Sequence, residues 1–457
     1  MKASVGKKVR FNHKEYDPEA LVAHLEELRI VDEGRGEVAF RGSLYLDDVV
    51  TVLQRAVVFE GDVPERDLTG IVNRALFRAA NAGPLLAGPL LGEISRGVQD
   101  FLEKPEKEFV LATSLSGFSM WPGPPGVDGE TEVSGCCISL APALPEHLRE
   151  GHEAAKVRVR RYVFGEYPDS VSTRSGYTAA WISTRGRSVY EAAERALEAL
   201  DLRRAIWNFS LNRQQWKRDT LERRRPVNRV IPGPVHSLHY PDGSLVSDID
   251  WYEHDYVEPI PREKSQERWK RAEREGGKIR KGLVASAYRD KMEGFLKRYT
   301  RTLDTREWES AFVRLWGLLE EMTGTKATDD HQVTVRRAAF PYDAQERDLH
   351  KQVLSHLKNY RHGSVHAGEV SEAIETYLYQ LKRYVEDLME FHLTSHPKSN
   401  LGFGNFDEAI RFLSQPTDPP AAQKKISDLR NQVRDKKLEI DTAEKARAYH
   451  SREQDQF

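Results

Sequence analysis

The sequence predicts an α+β domain followed by an all-α bundle of four or five helices, and three observations carry that prediction. Up to about residue 284, short runs of alternating or β-branched residues lie between turn signals, with a few stretches of helical spacing among them. From residue 285 onward there is almost no β signal, and four long segments repeat apolar residues every three or four positions. At 457 residues the chain is also too long for one compact core. The expected division is 1–284 as the mixed domain, 285–396 as the bundle and 397–457 as a helical extension.

Composition narrows the class further. With 39% hydrophobic and 31% charged residues and a formal net charge of -2, the chain is neither disordered nor fibrous. No stretch reaches the roughly 18–20 uninterrupted apolar residues of a membrane span. The nearest, "ALFRAANAGPLLAGPLLG" (75–92), is broken by Arg78, Asn81 and two prolines, and reads as a buried or amphipathic segment ending in loops. The N-terminus is charged and lacks an apolar signal core, so no membrane partner is expected and the default compartment is the cytoplasm. The two cysteines, Cys136 and Cys137, are adjacent. Neighbouring strand side chains point to opposite faces, so they read as small buried residues rather than a disulfide or a zinc site.

In the first half, "GEVAF" and "LYLDDVVTVLQRAVVF" read as β-like runs, "ERDLTGIVNRALFRAAN" as a helix and "EFVLATSLSGF" (108–118) as a buried strand. "MWPGPPGVDGE" (120–130) reads as an exposed loop. "AKVRVRRYVFG" (155–165) and "GYTAAWIST" (176–184) alternate like strands. The segment 188–212 is the clearest helix, with Ser188 and Glu191 spaced for a capping box. Beyond it, 228–256 has the Pro, Gly and Asp-Gly punctuation of strands joined by tight turns. Two basic runs, 213–229 with seven basic and two acidic residues and 262–281 with nine and four, suit either phosphate contact or a solvated helix face.

In the second half, helices are expected over 285–303, 306–324, 344–360 and 369–393, with a shorter one inside 330–340. Asp304 or Thr305 is placed to cap the second, and Gly324 to end it. Prolines 416, 419 and 420 separate a short amphipathic helix from a charged final one. There Ile426, Leu429, Val433 and Ile440 fall near heptad spacing, while Lys436 occupies a seam position. This fits a short coiled coil or a helix docked on the body.

The chemistry is concentrated in "NYRHGSVHAG" (359–368), expected at the junction of two bundle helices, with Gly363 bending the chain and a new helix starting near Ser364 or Gly368. An arginine followed five places later by a histidine occurs at chance frequency, so context decides. Here a fixed cation and a titratable imidazole sit on helix ends. "YRHGSVHAG", preceded by "LKNY" and by the aromatic, Glu-bearing "AFVRLWGLLEEMTG" (311–324), resembles the HEPN proteins, and more closely their ApeA-like group. Their hallmark is Arg, a polar residue, three or four more residues, then His. The resemblance covers about 285–395 and, more faintly, "VIPGPVHSLHYPDGSL" (230–245).

What the resemblance implies is an HEPN-type bundle with metal-independent endoribonuclease activity, in a toxin or anti-phage setting, with two subunits bringing their motifs together. RNA, a second copy of the chain and a phage or host trigger are the implied partners, and no cofactor or metal is called for. The residue types suit the chemistry. Strand cleavage by the ribose 2′-OH needs a base, an acid and positive charge on the phosphorane, and leaves a 2′,3′-cyclic phosphate and a 5′-hydroxyl. His366 exchanges protons near neutral pH, and Arg361 offers a rigid fork of donors to phosphate oxygens. His362 is either a second acid–base group or an orienting neighbour. Asn359 and Tyr360 are candidates for substrate contact, although an aromatic at the end of an amphipathic helix is more often a core residue. Glu320 or Glu321 would hold the Arg361 guanidinium, the alternative being an exposed helix carboxylate.

The runner-up function is a non-catalytic HEPN bundle that binds RNA or nucleotide and serves regulation or dimerisation. A different enzyme in 1–284 finds little support, since no Walker loop, strand-linked GxGxxG or HExxH is present. His236 and His239, read as lying on one strand face, and His254 offer imidazoles for a metal, but strand and turn polarity explains them as well.

Overall fold

In the computed structural model, residues 9–32, 37–116, 130–159, 177–213, 226–246, 249–253, 266–326, 328–367, 371–395, 397 and 401–454 are described. The chain forms two compact units, Met1–Arg204 with Arg229–Lys270, and Ala205–Asn228 with Arg271–Phe457. The N-terminal region is mixed α/β and the remainder helical.

The first unit opens with β1 (Arg10–Phe11), α1 (Pro18–Leu28), β2 (Arg29–Asp32), β3 (Glu37–Phe40), α2 (Ser43–Ala56), β4 (Val57–Val58), α3 (Glu65–Ala82) and α4 (Ala87–Glu103). Two small antiparallel pairs, β1 with β4 and β2 with β3, frame the helices. The helices share a core in which Leu25, Leu53, Leu76, Leu90 and Ile94 are fully buried. The run 44–59, expected as β-like, is mostly α2. Its Leu46, Val50 and Leu53 recur at helical spacing, and burial of that stripe overrides local β propensity. Likewise 75–92 is the end of α3 and the start of α4, with Pro89 in the first turn, where a missing N–H costs nothing.

Next come β5 (Lys107–Ser116), β6 (Thr131–Val133), β7 (Cys136–Ala141), α5 (Glu146–Val159), β8 (Tyr177–Gly186), α6 (Val189–Asn212), β9 (Val235–His239) and β10 (Trp251–Tyr252). The six strands form one antiparallel sheet in the order β10-β9-β5-β8-β7-β6, with Leu111 opposite Ile182 at its centre. Residues 155–159, expected to begin a strand, are the last turn of α5, whose Ala155 and Val159 pack on Val235 while Val157 faces solvent. The spacing of 155 and 159 is the helical signal that the Val-Arg alternation hides. The capping pair of α6 forms: Ser188 Oγ accepts from the Glu191 N–H at 3.0 Å, and the Glu191 carboxylate accepts from the Arg187 N–H at 2.5 Å. The Pro-rich loop at 120–130 lies almost wholly outside the described residues, as do His254 and most of the 213–229 run.

The helical region comprises α7 (Gln266–Ala285), α8 (Arg289–Asp304), α9 (Trp308–Met322), α10 (Gln332–Ala338), α11 (Arg347–Ala367), α12 (Ile374–Thr394), α13 (Phe406–Leu413) and α14 (Pro419–Gln454). Helices α8, α9 and α12 pack around Phe295, Leu315, Trp316, Leu319, Leu388 and Met389, all buried. Gly324 ends α9 in the left-handed conformation, at φ 61°. Its N-cap, however, is Glu307; Thr305 instead terminates α8, and its hydroxyl accepts from Arg314. Among the described residues no helix is long and apolar enough to cross a membrane.

Candidate functional site

Helix α11 runs without interruption from Arg347 to Ala367 and therefore through residues 359–367 of the expected junction. Gly363 neither bends the chain nor starts a new helix. A glycine inside a helix costs only about 1 kcal/mol relative to alanine, and packing of the α11 face, with Leu354 and Leu357 fully buried, exceeds that. The consequence is geometric. Five residues along a continuous helix separate Arg361 and His366 by about 140° and about 7.5 Å of rise, whereas positions 362 and 366 are only about 40° apart.

Tyr360 is half-buried. Its ring stands edge-on to Phe312 of α9 at 5.1 Å and packs on Tyr377 of α12 at 4.9 Å, and burial raises its phenol pKa. It is thus a packing residue, the helix-end alternative weighed for it. Asn359 and His362 are exposed. Arg361 is half-buried, and its Nε is shielded from water without a hydrogen-bond acceptor. Among the described residues it makes no hydrogen bond or ion pair. His366 lies on the last turn of α11.

The carboxylates proposed to orient Arg361 are engaged elsewhere. Glu320 accepts from Trp316 Nε1 at 2.8 Å and from His331 Nδ1 at 2.9 Å, and Glu321 pairs with Arg298. A glutamate four residues after a tryptophan on the same helix lies within reach of the indole N–H, so local geometry claims it.

No family model, curated protein or solved structure matches this chain.

Three further polar clusters are present, and of these the sequence points only to the β9 histidines of the third. In the helical unit, Lys382 and Glu386 are each 1% exposed and lie 2.8 Å apart. The Lys382 ammonium also donates to the Asn212 carbonyl at 2.8 Å, and the Tyr299 hydroxyl donates to Glu386. Asn212 donates to Asn228 at 2.8 Å, and Asn228 to the Thr300 carbonyl and Asp304. Burial raises the Glu386 pKa, against the pull of Lys382. Their i,i+4 spacing on α12 was visible in the sequence, but it is the same as that of a surface pair. Nearby, fully buried His392 accepts at Nδ1 from the Tyr288 hydroxyl and donates from Nε2 to the Met322 carbonyl; burial pushes its pKa down to about 4.

The third cluster contains the histidines of β9. His236 and His239 are three residues apart, so on a strand they face opposite ways, contrary to the shared face expected of them. His236 bonds Thr113 at 2.7 Å and Glu253 at 3.2 Å. His239 Nδ1 donates to the Gly243 carbonyl at 2.9 Å; its Nε2 then accepts from the Ser237 hydroxyl at 2.8 Å, and Ser237 accepts from His152 Nδ1 at 2.7 Å. Burial lowers both outer histidines, His152 to about 3. This chain is neutral and sealed from substrate. Among the described residues no group of His, Cys, Asp and Glu is arranged to hold a metal, and Cys136 and Cys137 are both free thiols.

A cavity of about 440 Å³ in the helical unit is lined by Phe209, Ile279 and Leu393 and by charged residues, Arg213, Arg271, Lys278 and Glu390 among them. Arg213 is bound to Glu390 and Lys278 to Glu275. None of the residues 359–366 lines it.

Proposed function

We propose that this chain is a metal-independent endoribonuclease of the HEPN type, with Arg361 and His366 as its catalytic residues and α11 as the platform that carries them. The observation that supports this most is Arg361. A guanidinium with a buried, unsatisfied Nε and no carboxylate partner among the described residues is kept available for an anion, and a phosphate has the matching bidentate geometry. His366 supplies proton transfer at the 2′-OH or the leaving 5′ oxygen, and exposed His362 is the second acid–base group or a neighbour that orients it. Because α11 is continuous, positions 361 and 366 of one chain stand about 140° apart around the helix axis. A site in which one copy contributes the arginine and another the histidine meets that constraint, and so favours a homodimer. A toxin or anti-phage role rests on the sequence resemblance alone.

Labelled RNA incubated with the protein in EDTA tests the reading. Cleavage to 2′,3′-cyclic phosphate and 5′-hydroxyl ends is expected, with 2′-deoxy substrates left intact. Arg361→Ala and His366→Ala should each reduce cleavage by orders of magnitude without altering the circular dichroism spectrum, and dilution should lower specific activity. Binding of RNA without cleavage under all conditions would establish the regulatory, non-catalytic module instead. Unchanged cleavage in either variant would remove α11 from the mechanism.

A further inference from the structure

Helix α14 is 36 residues long, and from Ile426 to Glu444 every residue is solvent-exposed. It is not docked on the body over that span. Yet Ile426, Leu429, Val433 and Ile440 are 44%, 49%, 69% and 58% exposed, and they fall on one line of the helix. With Ile426, Val433 and Ile440 at heptad position a, position d holds Ala422, Leu429, Lys436 and Ala443. Leu438 lies outside this seam, on the far face. A helix surrounded by water gains little from its own propensity, and an apolar stripe on it is stabilised by burial against a partner.

We propose that the occupant of this stripe is α14 of a second copy of the chain, in antiparallel orientation. The flanking charges select both the copy and the direction. Position g carries Lys425, Gln432 and Glu439, and position e carries Arg430, Lys437 and Glu444. A parallel in-register pair brings each g residue to the e residue five places on in the partner. Lys425 would then meet Arg430 and Glu439 would meet Glu444, like charges at both ends. In an antiparallel pair, g faces g and e faces e. With the two-fold axis near residue 431, Lys425 meets Glu439 on both sides, uncharged Gln432 meets its own copy, and Arg430 is the one charge of these positions that does so. The same register sets Val433 against Leu429 and Ile440 against Ala422. Lys436 lies over Ile426, where its stem packs and its ammonium reaches water. In the single chain Glu439 makes an exposed pair with Lys436 at 3.3 Å, which is easily exchanged.

The test uses the full chain. In sedimentation equilibrium at tens of micromolar, Leu429→Glu combined with Val433→Glu is expected to halve the mass of the assembly. A variant that keeps the wild-type mass overturns the proposal, since any remaining association then belongs to another face. Direction is read from single cysteines placed in a Cys136→Ala, Cys137→Ser background. Gln432→Cys lies near the two-fold axis and is expected to form a disulfide-linked dimer, while Ile440→Cys, roughly 27 Å from its copy at 1.5 Å of rise per residue, is not. The reverse pattern shows a parallel pair, and cross-linking at neither position shows no pair; each overturns the assignment. None of these readouts depends on RNA cleavage, so failure of one proposal does not imply failure of the other.

Discussion

Two cations in the helical unit show how the same charge serves different ends. Lys382 is fully enclosed and its ammonium has three acceptors in reach: both Glu386 oxygens and the Asn212 carbonyl. Arg361 is half-buried and has no such partners among the described residues. A buried ion pair is costly to desolvate, and removing one member leaves the other charge stranded. Lys382→Ala is therefore expected to destabilise the helical unit by about 3–5 kcal/mol in urea unfolding. Lys382→Met with Glu386→Leu should regain most of that loss, because no uncompensated charge remains. If the single variant costs less than about 1 kcal/mol, the pair is open to water. Arg361→Ala breaks no comparable bond and should shift stability by no more than about 1 kcal/mol, so its effect on RNA can be read without a folding correction.

At the scale of the element, α11 decides how the candidate motif is understood. Gly363 reads equally well as a break or as an interior glycine, since its lack of a side chain permits both. In the continuous helix, Gly363→Ala should stabilise the chain by about 0.5–1 kcal/mol, measured by thermal or urea unfolding; a destabilisation would mean that the helix turns there. The helices of the second half, the strands at 107–116 and 177–186 and the Ser188–Glu191 cap were legible because periodicity and capping are local signals. The misread segments were those where tertiary burial decides: α2, with β-branched residues on a helical stripe, and the end of α5, with alternating Val and Arg. The partners of Glu320 and the enclosure of Lys382 and Glu386 were not legible for the same reason. A carboxylate in a helical pattern looks alike whether it faces water, an indole or a lysine in the core.

At the scale of the whole molecule, the two units share a vulnerability to acid. Each encloses neutral imidazole: His152 and His239 in the first, His392 in the second. Unfolded histidine takes up a proton near pH 6.5, whereas burial keeps His152 neutral down to about 3 and His392 down to about 4. Folded pKa values below the unfolded one mean that the unfolded chain binds more protons in between. Stability is then complete above pH 6.5 and lost as the pH falls toward the folded values, at roughly 1.4 kcal/mol per pH unit for each histidine. By pH 5 this amounts to about 2 kcal/mol from His152 in the first unit and about 2 kcal/mol from His392 in the second, with His239 adding in the same direction. Urea midpoints measured at pH 7.5, 6.5 and 5 should be nearly level between the first two and fall clearly at the third. His392→Gln, which removes the titrating ring, should lower stability at pH 7.5 but flatten the acid side of the helical unit's profile. An unaltered acid slope in that variant would assign the loss to carboxylates instead.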